Sequence, residues 1–241
     1  MKSIIITGAS RGIGEAIALE CTSSYDYVAI CCKHNADRLK EVQNKIISKG
    51  CKCRIFVGDV SDYDFTCEMI NSVISEAGHI DALVNNVGIS QINLFTDTRP
   101  EDWKQIIDVN LTSVYNTCHA AVPHMIHEKK GRIINISSVW GLCGASCEVA
   151  YSTTKSAIIG FSKALAKELA PSHIAVNSIA FGAIDTHMNN HLSPEERVLL
   201  EDEIPYGRMA SCKEAACCVL KALEMPDYYT GDVLKFDGAW I

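Results

Sequence analysis

The sequence predicts an α/β fold, namely a single domain built on a doubly wound, seven-stranded parallel sheet with helices on both faces. Short apolar runs alternate with longer segments of helical spacing along all 241 residues. The apolar runs are continuous, as in parallel strands that are buried on both faces. No internal repeat and no Pro/Gly/Ser-rich linker divides the chain, whose length suits one large domain.

Seven apolar runs are predicted as strands, at residues 3–7, 27–32, 54–57, 82–84, 132–137, 174–178 and 233–236. The segments between them have helical spacing, at residues 15–23, 37–49, 63–77, 101–127, 152–170 and 213–223. Right-handed crossovers between parallel strands place such helices on both faces of the sheet. The polar, acidic segment 187–205 interrupts the alternation, and we predict that it is a helical flap over a site.

Composition and charge narrow the class of protein. The formal net charge is −7, which argues against nucleic acid or an anionic membrane as a main partner. The apolar run 4–6 is too short for a secretory signal, and no stretch reaches the length of a membrane span. We therefore expect a cytoplasmic protein whose 12 cysteines stay reduced. These cysteines form no C-x-x-C pair, so no metal site is expected.

The stretch TGASRGIG at 7–14 follows the first predicted strand and opens the first helix. Glycines let the backbone turn tightly and approach a ligand, and the free N–H groups at a helix start favour a phosphate. The spacing G-x-x-x-G-x-G differs from the common dinucleotide fingerprint, so a plain strand–helix connection remains an alternative. The cofactor-binding residues predicted in this turn are Gly8, Ser10, Arg11, Gly12, Ile13 and Gly14.

The second strand ends at Cys32-Lys33-His34, without the acid that usually binds the ribose 2′-hydroxyl of NAD. Lys33 and Arg11 are predicted to bind a 2′-phosphate, which favours NADP(H) as the cofactor. The alternative is that both are solvated surface cations. Further cofactor contacts are predicted after the third and fourth strands, where Asp59 would reach the adenine ring, at positions Asp59, Val60, Asn86 and Gly88.

The stretch YSTTK at 151–155 places Tyr151 and Lys155 four residues apart, on one face of a helix. A phenol ordinarily titrates near pH 10, and a neighbouring cation favours the phenolate. We therefore predict that Lys155 lowers the pKa of Tyr151, that Tyr151 exchanges a proton with a carbonyl oxygen, and that Lys155 also holds the nicotinamide ribose. The alternative is a chance spacing.

Two further polar residues are candidates for the same site. Ser138 ends the fifth predicted strand, at the edge where open α/β sheets bind ligands, and its hydroxyl is predicted to orient the carbonyl. Asn110 lies inside a predicted helix. Its side chain either bonds its own backbone or holds a water chain from Lys155.

With these motifs the chain resembles the short-chain dehydrogenase/reductase family over nearly its full length. The matching segments are TGASRGIG, Asp59-Val60, NNVG at 85–88, Asn110, ISS at 136–138, YSTTK and the region 182–186. The resemblance implies one Rossmann domain over 1–241 and, usually, a tetramer. It implies four catalytic residues, Asn110, Ser138, Tyr151 and Lys155. It also implies that Tyr151 and Lys155 contact the cofactor, together with Gly182, Ile184 and Thr186.

Two positions depart from the family pattern. Val87 stands where alanine is common, and Phe181 stands where proline is common. Val87 is expected to add bulk beside the cofactor, and Phe181 to change the wall near the nicotinamide. Neither departure removes a reacting group, so we expect both to alter the fit around the cofactor while the chemistry is kept.

Within the family the chain looks most like the 3-oxoacyl-acyl-carrier-protein reductases, through HEKKGRIINISS at 127–138 and TGDVLKFDG at 230–238. Lys129, Lys130 and Arg132 are then expected to dock the acidic carrier beside the cleft. A second basic position of such reductases falls near 172–173, where it is missing.

Other substrates remain open. Residues 140–150 look similar to a branch that reduces an aminopentanone group on elongation factor P, in which Glu148 would attract the amine. The alternative role of Glu148 is that of an acid favoured at a helix start. Hydroxysteroids, sugars and a non-enzymatic NADP-sensing scaffold are further alternatives. The segments 111–127 and 152–170 carry more apolar surface than one sheet face covers, so we expect a homotetramer or homodimer.

Overall fold

The computed structural model describes residues 1–189 and 192–241. Seven parallel strands form one sheet in the order β3-β2-β1-β4-β5-β6-β9, which confirms the predicted sheet. These strands are β1 Ser3–Ile6, β2 Tyr27–Cys32, β3 Lys52–Val57, β4 Ala82–Asn85, β5 Gly131–Ser138, β6 Ile174–Phe181 and β9 Val233–Phe236. Two short strands, β7 Ile184–Asp185 and β8 Ala210–Ser211, pair separately. The strand order reverses between β1 and β4, where such sheets open a ligand crevice.

Helices cover both faces of the sheet. They are α1 Gly12–Glu20, α2 Ala36–Ser48, α3 Tyr63–Ala77, α4 Pro100–Ile107, α5 Ser113–Glu128, α6 Trp140–Cys143, α7 Val149–Leu169, α8 Pro194–Glu203 and α9 Cys212–Glu224. One core packs α1, α2 and α9 on the sheet, and the other packs α3, α5 and α7. Because side chains alternate along a strand, Ile4 and Ile6 enter the first core and Ile5 enters the second. This double burial is the reason for the continuous apolar runs.

The predicted helix 101–127 is interrupted in the structure. Helix α4 ends at Ile107, a π-helical turn covers Asp108–Thr112, and α5 begins at Ser113. A π-turn inserts an extra residue into the helix and is frequent at functional sites. Here the turn contains Asn110, one of the candidate catalytic residues.

The end of β6 also differs from the prediction, since this strand continues three residues beyond 178. Phe181 pairs in register with Ser138 of β5, and its carbonyl accepts a hydrogen bond from the Val139 N–H at 2.9 Å. A phenylalanine at 181 is compatible with this strand geometry. The extension brings the end of β6 level with the end of β5.

The predicted flap 187–205 contains a 3₁₀ turn at His187–Asn189 and helix α8, while positions 190 and 191 lie outside the described residues. Ser193 and Glu196 form a capping box at the start of α8. Arg197 of α8 donates to both carboxylate oxygens of Asp185 at 3.1 and 3.0 Å, which ties the helix to β7. Within the described ranges, no helix combines the length and apolar character needed to cross a membrane.

Candidate active site

The predicted site residues gather at the carboxyl edge of the sheet, where parallel strands end together. They follow β1 at the glycine turn, β2 at Lys33, β3 at Asp59 and Val60, β4 at Asn86 and Gly88, β5 at Ser138, and β6 at Gly182, Ile184 and Thr186. Helix α7 brings Tyr151 and Lys155 to the same edge, where Lys155 bonds the backbone of β5. This is the position at which open α/β sheets bind their ligands.

The glycine turn holds α1 close to the end of β1. Gly8 and Gly12 have φ values of +68° and +62°, a backbone region that glycine adopts without strain. A Cβ at Gly14 would lie 2.3 Å from the Gly8 carbonyl oxygen, so only glycine fits there. The Asn86 side-chain amide donates to the Thr7 and Gly8 carbonyls at 3.0 and 3.2 Å. Asn86 therefore braces the turn from β4.

The start of α1 suits a phosphate group. In the described part of the chain, no side chain caps the N–H groups of this helix, and the N-cap residue Arg11 is extended and exposed. A Cβ at Gly12 would approach only Thr186, at 3.9 Å, so the backbone is accessible on that side. The one acid in the first turn, Glu15, is paired with Lys45 at 2.9 Å. Free N–H groups and the helix dipole at such a surface fit a dinucleotide pyrophosphate.

Lys33 and Asp59 contact each other, whereas the sequence placed them in separate roles. The Lys33 ammonium lies 2.6 Å from Asp59 Oδ2, and Ser61 donates its N–H and hydroxyl to Asp59 Oδ1 at 2.9 and 2.7 Å. Burial acts to raise the pKa of Asp59, but the bonds from Lys33 and Ser61 outweigh it and hold that pKa below its usual value. The Lys33 side chain is about half exposed, and its pairing with Asp59 holds the ammonium at the surface beside the end of β2.

Tyr151 and Lys155 lie on consecutive turns at the start of α7, which begins at Val149. The Lys155 ammonium is 5.5 Å from the centre of the Tyr151 ring and donates to the Ile136 carbonyl at 2.9 Å. Burial lowers the pKa of Lys155 to about 8. Burial also raises the pKa of Tyr151 to about 12. The predicted net lowering of the Tyr151 pKa is wrong, because desolvation outweighs the effect of a neighbouring cation in this structure.

Ser138 joins the end of β5 to Tyr151. A hydrogen bond from the Ser138 hydroxyl acts to lower the pKa of Tyr151, opposing part of the effect of burial. The same Oγ accepts the Trp140 N–H at 3.2 Å. These two partners direct the hydroxyl proton of Ser138 towards the phenol.

Asn110 is fully buried, and its side chain bonds the loop after β4 rather than its own helix. Its Oδ1 accepts the Ile89 N–H at 2.8 Å, and its Nδ2 donates to the Ile89 carbonyl at 2.9 Å and to Thr154 Oγ1 at 3.2 Å. A Cβ at Gly88 would lie 3.3 Å from Lys155 Nζ and 3.6 Å from Asn110 Oδ1. Asn110, Gly88 and Lys155 are therefore immediate neighbours.

Gly141 was missed by the sequence analysis. A Cβ there would lie 2.7 Å from the Lys155 carbonyl carbon, and the Ser156 hydroxyl donates to the Gly141 carbonyl at 2.6 Å. The segment after Ser138 therefore packs directly on α7 next to Lys155. The only signal in the sequence is a glycine three residues after the candidate serine.

A buried polar network behind the site was also missed. Asn85 Nδ2 donates to Asn135 Oδ1, and Asn135 Nδ2 donates to Ser162 Oγ, both at 2.8 Å, while Thr117 donates to Asn85 Oδ1 at 2.7 Å. The network connects β4 and β5 to α5 and α7, so it fixes α7 against the sheet. Asparagines inside two otherwise apolar strands were the available signal.

The two departures from the family pattern have different surroundings. Val87 packs against the glycine turn, 3.1 Å from the position that a Cβ at Gly8 would take. Phe181 is buried in the core, edge-to-face with Phe236 at 5.8 Å between ring centres. The Phe181 ring therefore packs within the core, and the expectation that this residue changes the wall near the nicotinamide stays a prediction.

The basic residues expected to dock a carrier protein lie at the opposite edge of the sheet. Lys129 and Lys130 precede β5 and Arg132 is near its start, whereas Ser138 ends the same strand. Lys130 pairs with Asp81 at 2.6 Å, and buried Arg132 bonds the Ala222 carbonyl and Asp227. Residues 172–173 precede β6 at that same edge. The prediction of a basic patch beside the cleft is wrong for these positions.

Glu148 immediately precedes α7 and faces the cleft. Its carboxylate accepts a hydrogen bond from the Ser90 hydroxyl, and its charge acts to raise the pKa of Tyr151. Glu148 is therefore both an acid at a helix start and a negative charge close to the Tyr151 phenol.

Comparisons with known proteins agree with this architecture. The family model described as short chain dehydrogenase matches residues 2–197. The chain is 37% identical over 241 residues to the "Uncharacterized oxidoreductase YmfI" of Bacillus subtilis (strain 168), covering 99% of this chain and 98% of the relative. It is 36% identical over 238 residues to the 3-oxoacyl-[acyl-carrier-protein] reductase FabG of Staphylococcus aureus (strain N315), covering 98% and 97%. It is 38% identical over 238 residues to the FabG of Chlamydia muridarum, covering 98% and 96%.

The matched segment contains the glycine turn, Asn110, Ser138, Tyr151 and Lys155. It also contains six of the seven strands of the large sheet. The motifs, the strand order and the full-length similarity therefore all indicate the same protein family. The chain belongs to the short-chain dehydrogenase family and is an oxidoreductase with the nicotinamide-dependent chemistry of that family.

Proposed function

We propose that this protein is an NADPH-dependent ketone reductase, with Asn110, Ser138, Tyr151 and Lys155 as its catalytic residues and a 3-oxoacyl group on acyl carrier protein as the favoured substrate. The observation that carries the proposal is the contact of Tyr151 with both Ser138 and Lys155 at the edge of the sheet that holds the glycine turn. The substrate class is supported by the relatives at 36–38% identity that are named 3-oxoacyl-[acyl-carrier-protein] reductases.

A bound nicotinamide cofactor supplies the hydride for this reaction. When a ketone binds beside Tyr151, the Ser138 hydroxyl transfers its hydrogen bond from the phenol to the ketone oxygen and orients it, and the Tyr151 hydroxyl gives its proton to that oxygen as the carbonyl is reduced. The raised pKa of Tyr151, about 12, keeps the phenol protonated at neutral pH, as an acid requires. The neighbouring Lys155 ammonium stabilises the phenolate left behind, which regains a proton from solvent. Asn110 holds the loop at Gly88 beside Lys155.

The preference for NADPH is proposed from the charges at the end of β2. Lys33 lies there with its ammonium oriented by Asp59, and exposed Arg11 lies at the start of α1. No acidic residue occupies positions 31–34 at the end of this strand. The end of β2 itself has no acid, and Asp59 of the neighbouring strand end is paired with Lys33, so these two cations support a 2′-phosphate over a 2′-hydroxyl.

A ketone that carries an amine is the second candidate substrate, as in the aminopentanone group of elongation factor P. The observation that favours it is the Glu148 carboxylate, held by Ser90 close enough to Tyr151 to raise its pKa. The displacement of Lys130 and Arg132 to the opposite edge also removes one argument for an acidic carrier.

The test is NADPH oxidation, followed by absorbance, with a generic β-keto ester, a carrier-linked 3-oxoacyl thioester and an amino ketone. Loss of an acid–base group costs about 10²–10⁴-fold, so Tyr151→Phe should lower kcat by about 10³-fold. Tyr228→Phe is the matched control, because Tyr228 is almost fully exposed. Glu148→Gln should raise KM for the amino ketone alone if that substrate is the natural one. NADPH binding without turnover of any carbonyl would favour the sensing scaffold.

We also propose that the protein works in the cytoplasm as a homotetramer or homodimer. Support comes from half-exposed apolar side chains on α5 and α7, including Tyr115, Ile126 and Val149. Light scattering at micromolar concentration tests this, and a monomer at that concentration would contradict it.

A further inference from the structure

The N–H of Trp140 connects the catalytic serine to a distant part of the chain. Trp140 is two residues after Ser138 and donates its backbone N–H to Ser138 Oγ at 3.2 Å. Its indole contacts that of Trp240, edge-to-face, with 4.9 Å between ring centres. Edge-to-face contact is one of the geometries that aromatic pairs prefer. The orientation of Trp140 therefore depends on residues more than ninety positions away along the chain.

Trp240 is held in place by the segment 237–241, which we term the Asp237 turn. The Asp237 carboxylate accepts the Ala239 N–H at 3.0 Å and the Ile241 N–H at 3.1 Å, and the Trp240 N–H lies 3.3 Å from the Asp237 carbonyl. Lys235 is paired with the same carboxylate at 3.4 Å, and the Asp237 side chain is only 5% exposed. Ala239 has a φ of +66°. One buried carboxylate thus organises the whole turn.

The Asp237 turn also contacts the cofactor side of the site. A Cβ at Gly182 would lie 2.8 Å from the Asp237 Cα, so the loop after β6 rests directly on the turn. Gly182 begins the predicted cofactor-contacting region. The turn therefore touches both the loop beside the cofactor and the aromatic pair beside the catalytic serine.

We infer that the Asp237 turn is a positioning device for Ser138, with Trp240 holding Trp140 so that its N–H directs the serine hydroxyl towards Tyr151. This inference rests on the proposed function, in which Ser138 orients the ketone and Tyr151 donates the proton. Trp240 and Asp237 are positioning residues, because they act through Trp140. Small displacements of catalytic groups by remote substitutions are known to cost up to about 10²-fold in rate.

The inference has a specific consequence for the pH profile. The hydrogen bond from Ser138 acts to lower the pKa of Tyr151. If the hydroxyl loses its orientation, the pKa of Tyr151 rises further. In the reduction direction, where the protonated phenol is the acid, the alkaline limb of the rate should then move to higher pH. A purely structural role for Trp240 would lower activity without moving this limb.

The experiment compares Trp240→Ala and Trp240→Phe with Trp103→Ala, a control that removes the partly exposed tryptophan of α4. Trp240→Ala should lower kcat about tenfold and move the alkaline limb to higher pH, with KM for NADPH unchanged. Trp240→Phe keeps an aromatic edge and should restore most of the loss. A Trp240→Ala enzyme with the kcat and pH profile of Trp103→Ala would overturn the inference.

A spectroscopic test does not depend on turnover. Among the three tryptophans of the chain, Trp140 and Trp240 form a pair, so Trp103→Phe should retain a coupled near-ultraviolet circular dichroism signal that Trp103→Phe/Trp240→Phe lacks. Ser138→Ala removes the acceptor of the Trp140 N–H and should alter this signal. Absence of the coupled signal, or its indifference to Ser138→Ala, would contradict the inference. A wild-type protein that reduces no ketone would instead contradict the proposed function.

Discussion

The two edges of the sheet both bury charged or titratable groups, but they treat them differently. At the amino edge, the Asp81 carboxylate accepts the Ser3 N–H at 2.7 Å and is paired with His79 at 2.8 Å and Lys130 at 2.6 Å. Burial acts to raise the pKa of Asp81, and its partners outweigh burial and lower it. At the carboxyl edge, burial prevails: the pKa of Lys155 falls to about 8 and that of Tyr151 rises to about 12.

This difference distinguishes a carboxylate whose partners keep it charged from two titratable groups whose pKa values are set by burial. A buried carboxylate surrounded by donors stays ionised and stabilises the fold. Burial shifts the pKa values of the Tyr151 phenol and the Lys155 ammonium towards their neutral forms, although a pKa of about 8 leaves Lys155 mostly protonated at pH 7. Partners compensate the desolvation of Asp81 at the amino edge, whereas the desolvation of Tyr151 and Lys155 at the carboxyl edge is not compensated.

The largest expected effect is at Asn110, the polar residue of the carboxyl edge that is fully bonded. Asn110→Ala leaves the half-buried N–H and carbonyl of Ile89 without their side-chain partner, so it should lower the free energy of unfolding by about 3 kcal/mol. Urea unfolding measures this, with the exposed residue Asn44 of α2 replaced by alanine as the control. If both variants unfold at the same urea concentration, Asn110 does not hold the loop.

At the amino edge, Asp81→Asn should cost about 2 kcal/mol of stability at pH 7 while leaving kcat unchanged. Because the folded pKa of Asp81 lies below its ordinary value, the contribution is present above that value and is lost as the pH falls through the folded pKa. Wild-type protein should therefore lose stability below about pH 4, and the variant should lose less. A variant with full stability but reduced kcat would break the distinction between the edges.

Folding also lowers the pKa of Lys155, but the pH window is alkaline. Its folded pKa, about 8, lies below the ordinary 10.5, so between these values the unfolded chain binds the extra proton and the contribution of this group to stability rises with pH. From pH 8 to 9, we expect the stability difference between wild-type protein and Lys155→Met to shift by about 1 kcal/mol in favour of the wild type, while buried thiols with raised pKa values, such as those of Cys31 and Cys118, lower the stability of both proteins alike. Thermal or urea unfolding at both pH values measures it. The window stops near pH 10, where the raised Tyr151 pKa acts in the opposite direction. An identical pH dependence in the two proteins would show that the ammonium is not desolvated.

The last prediction concerns the choice of cofactor. Lys33→Asp should reduce the preference for NADPH over NADH, as a ratio of kcat/KM, by about tenfold or more, which corresponds to about 1.4 kcal/mol. The control is Lys52→Asp, an exposed lysine at the amino end of β3. An unchanged preference after Lys33→Asp would remove Lys33 from the 2′-phosphate site.

Much of this architecture was predictable because it is local. Continuous apolar runs follow from strands buried on both faces, and the strand order confirms them. The glycine turn is predictable because glycine adopts the positive φ values of Gly8 and Gly12 without strain. Tyr151 and Lys155 share a helix face because helical geometry places residues four apart together.

Other features were decided only by the tertiary structure. Lys33 pairs with Asp59, Asn110 bonds Ile89 from a π-turn, and Lys130 lies at the edge opposite the active site. The direction of the Tyr151 pKa shift belongs here too, because the sequence shows the neighbouring cation but not the depth of burial. Spacing along the chain determines which side chains share a face. Desolvation and partner choice depend on atoms brought together from distant segments, so only the folded structure decides them.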